Sequence, residues 1–324
     1  MSTTSQLAAG DIPSFAHVID AHERIAPYIH RTPVLTSQFM NGLAGAELFF
    51  KCENLQKAGA FKARGASNAV FGLTDEQAAR GVATHSSGNH GQSLAYAAGR
   101  RGIPCTVVMP HSAPKAKKDA VAGYGARVVE CEPSIASREE TFAQVLAETG
   151  AEFVHPFNDG RVIAGQGTCS RELADEVGAL DAVIAPIGGG GMISGTCLTM
   201  STIAPYVQVY AGEPEQADDA YRSLKAGHII TDDAPVTVAD GLKVSMKVLT
   251  WHFVSRHVAD ILTVSEQEIV DAMMLIWKRM KIIAEPSSAV PLAAVLKNRE
   301  IFAGKRVGII ITGGNVDLDH LPWM

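Results

Sequence analysis

Lys62 lies in the stretch KAGAFKARGA, residues 57–66, where its neighbours are Gly and Ala apart from Lys57, Phe61 and Arg64. A lysine on a loop is ordinarily a solvated cation. An amine that is desolvated and given room becomes a nucleophile toward a carbonyl carbon, and small flanking residues leave space for a bulky imine. Farther along, APIGGGGM at 185–192 sets Gly188, Gly189, Gly190 and Gly191 between an apolar run and a helical pattern that starts about Met192. Such a run offers bare backbone N–H groups at a helix start, which suits a phosphate dianion, whereas a tight turn needs fewer glycines. No register of Gly188–Gly195 satisfies G-x-G-x-x-G, and no G-x-x-x-x-G-K-[ST] occurs. The phosphate expected here is therefore that of a cofactor without a second nucleotide. A carbonyl-seeking lysine joined to a phosphate cup points to pyridoxal phosphate.

Three further clusters carry polar chemistry. SSGNHG at 86–91 supplies Ser86, Ser87, Asn89 and His90 where a strand turns into a helix. Helix capping needs one such residue, and the surplus suits a carboxylate. In TGGN, 312–315, Thr312 is a candidate partner for a pyridine nitrogen. A hydroxyl there holds a ring proton weakly and makes the ring a modest electron sink, which favours prompt loss of a β-substituent. GEPEQADDA, 212–220, brings together Glu213, Asp218 and Asp219 with a loop carbonyl between them. Those are donors for a hard cation, Mg²⁺ or Ca²⁺, although an exposed acidic loop is the commoner meaning of such a run.

The elements that must position these groups alternate. From Gly81 the pattern reads strand GVATHS, helix NHGQSLAYAAGRRG, strand CTVVMP, helix KAKKDAVAGYG, strand RVVEC, helix REETFAQVLAETG and strand EFVHP. It resumes with DAVIAPI, a helix and QVYAGEP, and closes with RVGIIITGG, Arg306–Gly314. Before it come a helical pattern over 15–29, an extended segment forced by Pro33 and a strand in AELFFKCEN. Alternation of this kind predicts an α/β fold of parallel sheets in two blocks, with a boundary near HPFND, 155–159. Ligands in open α/β sheets bind beyond the carboxyl ends of strands, so SSGNHG, GGGG and TGGN belong at one crevice if the blocks face each other.

Composition fits that reading and excludes others. The 324 residues are 47% hydrophobic and 19% charged, with a net charge of −6 and no basic run longer than KAKK, 115–118. A soluble globule is expected, with no nucleic-acid partner. No apolar run reaches the ~18 residues of a membrane span. The start, MSTTSQLAAGDIPSF, lacks the basic and apolar regions of a secretory leader. Five scattered cysteines without a C-x-x-C pair are expected to be core residues in a reducing compartment, so the expected location is cytoplasmic.

Together KCENLQKAGAFKARGASNAV, THSSGNHGQSLAYAA, IAGQGT, APIGGGGMISG, GEPEQADDA and ITGGNVDL resemble the fold-type II pyridoxal-phosphate enzymes. The nearest branch is that of serine racemase and the threonine, serine and 3-hydroxyaspartate dehydratases, from about residue 20 to the C-terminus. The resemblance implies a tryptophan synthase β-like fold with the cofactor between a large domain, 1–68 and 156–324, and a small mobile domain, 69–155. It makes Lys62 the lysine that holds the cofactor and Phe61 its neighbour, with Asn89 on the phenolic oxygen. Gly188, Gly189, Gly190, Gly191 and Met192 become the phosphate cup; Gly241 lines the cofactor, and Thr312 stands where most relatives have Ser. Ser86, Ser87, Asn89 and His90 become the loop for the substrate carboxylate. Glu213, the Ala217 carbonyl and Asp219 become a site for Mg²⁺, Ca²⁺ or Mn²⁺, against the exposed-loop reading of that segment.

Ser87 corresponds to a serine that, in racemase-like members, exchanges the Cα proton on the face opposite the lysine. Arg138, in EPSIASREE, matches an arginine that meets a second carboxylate, and its guanidinium fork suits 3-hydroxyaspartate. Ala58 and Gln38 replace hydroxyl residues linked to nucleotide activation in animal serine racemase, so ATP control is not expected. With the sequence ending at Met324, the regulatory domain of the biosynthetic threonine dehydratases is not expected. The expected activity is dehydration of a β-hydroxy-α-amino acid, 3-hydroxyaspartate first, by a homodimer, giving a 2-oxo acid and ammonia. The alternatives are a serine racemase with serine and threonine dehydratase activity, and a non-catalytic protein that binds an amino acid or a phosphate metabolite.

Overall fold

The computed structural model describes residues 12–232 and 234–324; most of the segment read above as lacking a secretory leader, Met1–Asp11, lies outside the described residues. Among the described residues ten strands form two sheets: β1 Val34–Thr36, β2 Glu47–Cys52, β3 Val82–His85, β4 Cys105–Pro110, β5 Arg127–Cys131, β6 Glu152–Phe153, β7 Ala182–Pro186, β8 Gln208–Pro214, β9 Val258–Val264 and β10 Arg306–Ile311. The larger sheet has the order β1-β2-β10-β7-β8-β9, and the smaller β5-β4-β3-β6. Every pairing is parallel except β1 with β2. The expected alternation thus holds, and Pro33 does lead into an extended segment, the short β1.

Continuous apolar strands follow from covering both faces of a parallel sheet. In β10, Val307, Ile309 and Ile311 enter the core on one face while Ile310 enters the core on the other. In the small sheet, Val82, Val107 and Met109 pack under one face and Ala83 and Val108 under the other. All five cysteines are buried and unpaired, as expected of core residues. Among the described residues no helix is long and apolar enough to cross a membrane.

The helix Lys62–Phe71 ties the two sheets together. Its Ala66, Ala69 and Val70 belong to the small sheet's core, so the expected boundary after residue 68 falls inside this helix. It also crosses the helix Gly160–Val177 so closely that a Cβ on Gly165 would lie 2.6 Å from Gly65 Cα. Beside this crossing lies an ionic cluster cut off from water. Arg64 donates from Nε and NH2 to Glu53 at 2.7 and 2.8 Å, and from NH1 and NH2 to Glu172 at 2.8 and 2.7 Å. Lys51 Nζ adds a third cationic contact to Glu172 at 2.7 Å and donates to Thr32 O at 2.6 Å. Two cations meet two carboxylates with their hydrogen bonds satisfied, the condition under which buried charge is tolerated.

Candidate active site

Lys62 is the first residue of its helix, and its place is set from the carboxyl end of β10. Phe61 N donates to Thr312 O at 2.9 Å, and Ala60 forms an isolated bridge with Gly313. The Lys62 amine donates to Pro156 O at 2.8 Å and lies 5.0 Å from the Phe61 ring centroid. Burial pushes its pKa down to about 8, against the pull of the Glu285 carboxylate. A fraction of the amine is therefore unprotonated near neutral pH, the state a carbonyl-capturing lysine needs.

The four glycines connect β7 to the helix Gly191–Ile203, which starts on Gly190 at φ +86° without a side-chain cap. A Cβ on Gly188 would stand 2.8 Å from Leu242 Cα, and one on Gly189 would stand 2.5 Å from the Phe157 ring. No side chain fits, and the uncapped first-turn N–H groups remain for an anion. Met192 is buried in the helix behind them. Gly241, in the turn Asp240–Leu242, donates its N–H to Ser287 Oγ at 3.1 Å. Buried Thr312 places Oγ1 3.0 Å from Ser288 Oγ.

The helix Asn89–Arg101 also begins without a side-chain cap, so neither Ser86 nor Ser87 is consumed in capping. Ser86 Oγ accepts from Gly88 N at 3.3 Å, and both serines are half-buried. Asn89 reaches across to the large sheet's side: its Nδ2 donates to Glu285 Oε1 and Oε2 at 2.9 and 3.1 Å. Asn315 completes the cluster, donating from N to Glu285 Oε2 at 3.2 Å and from Nδ2 to Asn89 Oδ1 at 2.9 Å. Burial raises Glu285 to about 7, offset in part by the Asn89 hydrogen bond.

His90 and Arg138 are brought less directly to this point. The His90 ring is buried, with Nε2 3.0 Å from Val154 O and Nδ1 unpartnered, and burial followed by the charge of Lys62 pushes its pKa to about 3. It is a neutral wall residue whose ring is turned to the end of β6. Arg138 lies in the first turn of the helix Ile135–Thr149, half-buried, with Nε lacking a partner. Its charge depresses His85, after burial has done so. The His85 ring is in turn 6.5 Å from that of His155. His155 Nδ1 accepts from Phe157 N and Asn158 N at 3.2 and 2.9 Å, which leaves Nε2 to carry the ring proton. Arg138 thus bears on this end of the site through its charge on His85.

GEPEQADDA is not an exposed acidic loop, since Glu213, Ala217 and Asp219 are at most 2% exposed. Glu213 is the penultimate residue of β8, and its oxygens accept from Ala220 N and Tyr221 N at 2.9 and 2.8 Å. Burial raises Glu213 to about 9 and Asp219 to about 6, and Asp219 Oδ2 is buried without a partner. Asp218 pairs with Arg222 at 2.7 Å instead. Among the described residues no three His, Cys, Asp or Glu side chains gather as a metal cluster. Here a cation would be held by two carboxylates and backbone oxygen.

Comparison with known proteins meets this geometry. The family model described as pyridoxal-phosphate dependent enzyme matches residues 25–313. The chain belongs to that family. It is 70% identical over 312 residues to the beta-hydroxyaspartate dehydratase of Paracoccus denitrificans, covering 96% of this chain and 99% of that protein. It is 51% identical over 306 residues to the serine racemase of Dictyostelium discoideum, covering 93% of this chain and 94% of that protein. The crystal structure of that racemase superposes with a TM-score of 0.91 at 49% identity, over 94% of this chain and 99% of that one. The fold is fold type II of the pyridoxal-phosphate enzymes.

The residues present fit the family's cofactor. Lys62, a neutralisable lysine, is bonded to Pro156, and the next residue, Phe157, fills the Cβ positions of Gly189 and Gly191 at an uncapped helix start. Three neighbours escaped the sequence reading: Glu285, His155 and Phe157. Pro286 marks a helix start in AEPSSAV, so Glu285 is legible as a capping position, but nothing local says that its carboxyl turns to Asn89.

Proposed function

We propose that this enzyme dehydrates 3-hydroxyaspartate. The carrying observation is the 70% identity to a beta-hydroxyaspartate dehydratase, together with a lysine held near neutrality beside an anion cup. Pyridoxal phosphate, when bound, supplies the electron sink that makes the Cα proton acidic. Lys62 would hold the cofactor, Gly188–Met192 its phosphate, Asn89 its phenolic oxygen and Thr312 its pyridine nitrogen, with Phe61 beside Lys62 and Gly241 lining the cofactor.

Ser86 and Ser87, with the first N–H groups of the helix Asn89–Arg101, bind the α-carboxylate, and His90 backs that loop. Arg138 receives the second carboxylate. Lys62 Nζ takes the Cα proton and gives it to the departing β-hydroxyl, so one water leaves. The eliminated product then loses ammonia in water to give the 2-oxo acid. The segment 69–155 serves as a small mobile domain, with the Lys117–Asp240 ion pair at 2.8 Å as one of its links to the rest.

Glu213, the Ala217 carbonyl and Asp219 hold a divalent cation, Mg²⁺ first. The unpartnered Asp219 oxygen and the raised carboxyls support this, because a cation relieves both. The expected homodimer rests on the resemblance and the expected cytoplasmic location on the scattered, unpaired cysteines; sedimentation of the purified enzyme tests the dimer.

Ammonia release from 3-hydroxyaspartate, serine and threonine, with and without chelator, tests the assignment. The hydroxy dicarboxylate should react best, and faster turnover of serine would overturn the preference. Ser87 keeps a second reading alive, because it is half-buried and free of capping duty. If it serves racemisation, Ser87→Ala stops enantiomer exchange in recovered serine.

A further inference from the structure

Glu285 is a buried acid that the reaction above does not use, and it stands where the two sheet units meet. It occupies the N-cap position of the helix Pro286–Lys297 yet makes no side-chain cap. Its oxygens instead receive Asn89 Nδ2 from the small unit and Asn315 N from the segment after β10. Asn315 fixes the other end of the Asn89 amide and donates to Ala58 O at 2.9 Å, beside Lys62. The Asn89 donors are thus spent on Glu285 in this structure, although the cofactor's phenolic oxygen needs one of them.

The charged groups around Glu285 are Lys62 from its own helix, Asp240 beside Gly241, and Lys117 from the helix Lys115–Gly123. Lys117 is already paired with Asp240. Among the described residues no cation lies within ion-pair distance of Glu285.

We propose that Glu285 is a positioning residue whose carboxylate competes with the cofactor's ring oxygen for the Asn89 amide, so that cofactor capture draws one proton onto Glu285. This rests on the reading that Asn89 serves that oxygen. A carboxylate and a phenolate sharing one amide in a water-poor cleft repel each other. Moving one solvent proton to Glu285 removes one negative charge, frees an Asn89 N–H and leaves the carboxyl with a donor of its own. With its pKa near neutrality, Glu285 accepts that proton readily.

The test titrates pyridoxal phosphate into the full chain stripped of cofactor, following absorption and tryptophan fluorescence from about pH 6 to about pH 9. Glu285→Gln mimics the neutral acid, so the ratio of wild-type Kd to variant Kd should grow by up to about tenfold per pH unit above about pH 7. Glu285→Asp should keep the wild-type slope. A parallel slope in wild type and E285Q overturns the proposal. A measurement on wild type alone guards against a variant that does not fold: the infrared difference spectrum on cofactor binding at about pH 8 should gain a protonated-carboxyl band. Its absence also overturns the proposal. If wild type captures no pyridoxal phosphate that borohydride can fix on Lys62, the cofactor reading fails instead.

Discussion

Two clusters of buried charge lie two residues apart along one helix and are built on opposite terms. Around Arg64, two cations face two carboxylates with bidentate geometry; burial works against the guanidinium charge, yet Glu53 and Glu172 raise its pKa well above the usual value. Around Lys62 the compensation is incomplete. The amine has a backbone carbonyl, Glu285 has amides, and both shift toward neutrality. Paired charge fixes structure, whereas underpaired charge stays close to its titration point, where protons move at low cost. The arrangement also makes the first cluster the anchor of the second, since Arg64 pins the helix that Lys62 begins.

Exchanging each long cation for methionine separates the two terms most sharply. Lys62→Met should lower turnover at least about 10³-fold, the scale of a lost acid–base group. The same change should leave the stability of the cofactor-free protein unchanged or raise it by about 0.5–2 kcal/mol, because an unpaired buried amine is removed. Arg64→Met should do the reverse to the fold, costing about 3–5 kcal/mol in denaturant unfolding as buried Glu53 loses its cation and Glu172 keeps only Lys51. A stable R64M with a mobile, inactive Lys62 would break the distinction between anchor and reagent.

Smaller effects probe the edges of the cleft. Arg138→Ala should cut kcat/KM for 3-hydroxyaspartate by about 10–100-fold more than for serine, corresponding to about 1.5–3 kcal/mol for a charged hydrogen bond. Equal losses would show that Arg138 does not read the second carboxylate. Glu213 extends the comparison to a third site. Its folded pKa of about 9 exceeds the usual value of 4.5, so its contribution is fully present at acid pH and is lost as pH rises through about 9. Unfolding of metal-free protein should register that decline, and Mg²⁺ at ten times its Kd should restore about 1.4 kcal/mol. Glu213→Gln should abolish the response to the cation; a persisting response would place the cation elsewhere.

Legibility in the sequence followed how local each cause was. Strands β3, β4, β5, β7, β8 and β10 could be read from apolar runs ending in turn residues, and the glycine cup from its composition alone. β9, VADILTV, was missed because its mixed pattern gains meaning only from pairing with β8. GEPEQADDA reads as an exposed loop by composition, and burial reverses that meaning.

The sequence by itself determined that SSGNHG, GGGG and TGGN stand at the carboxyl ends of parallel strands, because βαβ alternation puts the strand ends of each sheet on one edge, and that they share a crevice if the two blocks face each other. Only the tertiary structure decided which charges would be satisfied. Arg64 meets Glu172 across 108 positions and Asn89 meets Glu285 across 196. The energy of a buried charge depends on partners within a few ångströms in space, and no local pattern encodes those distances.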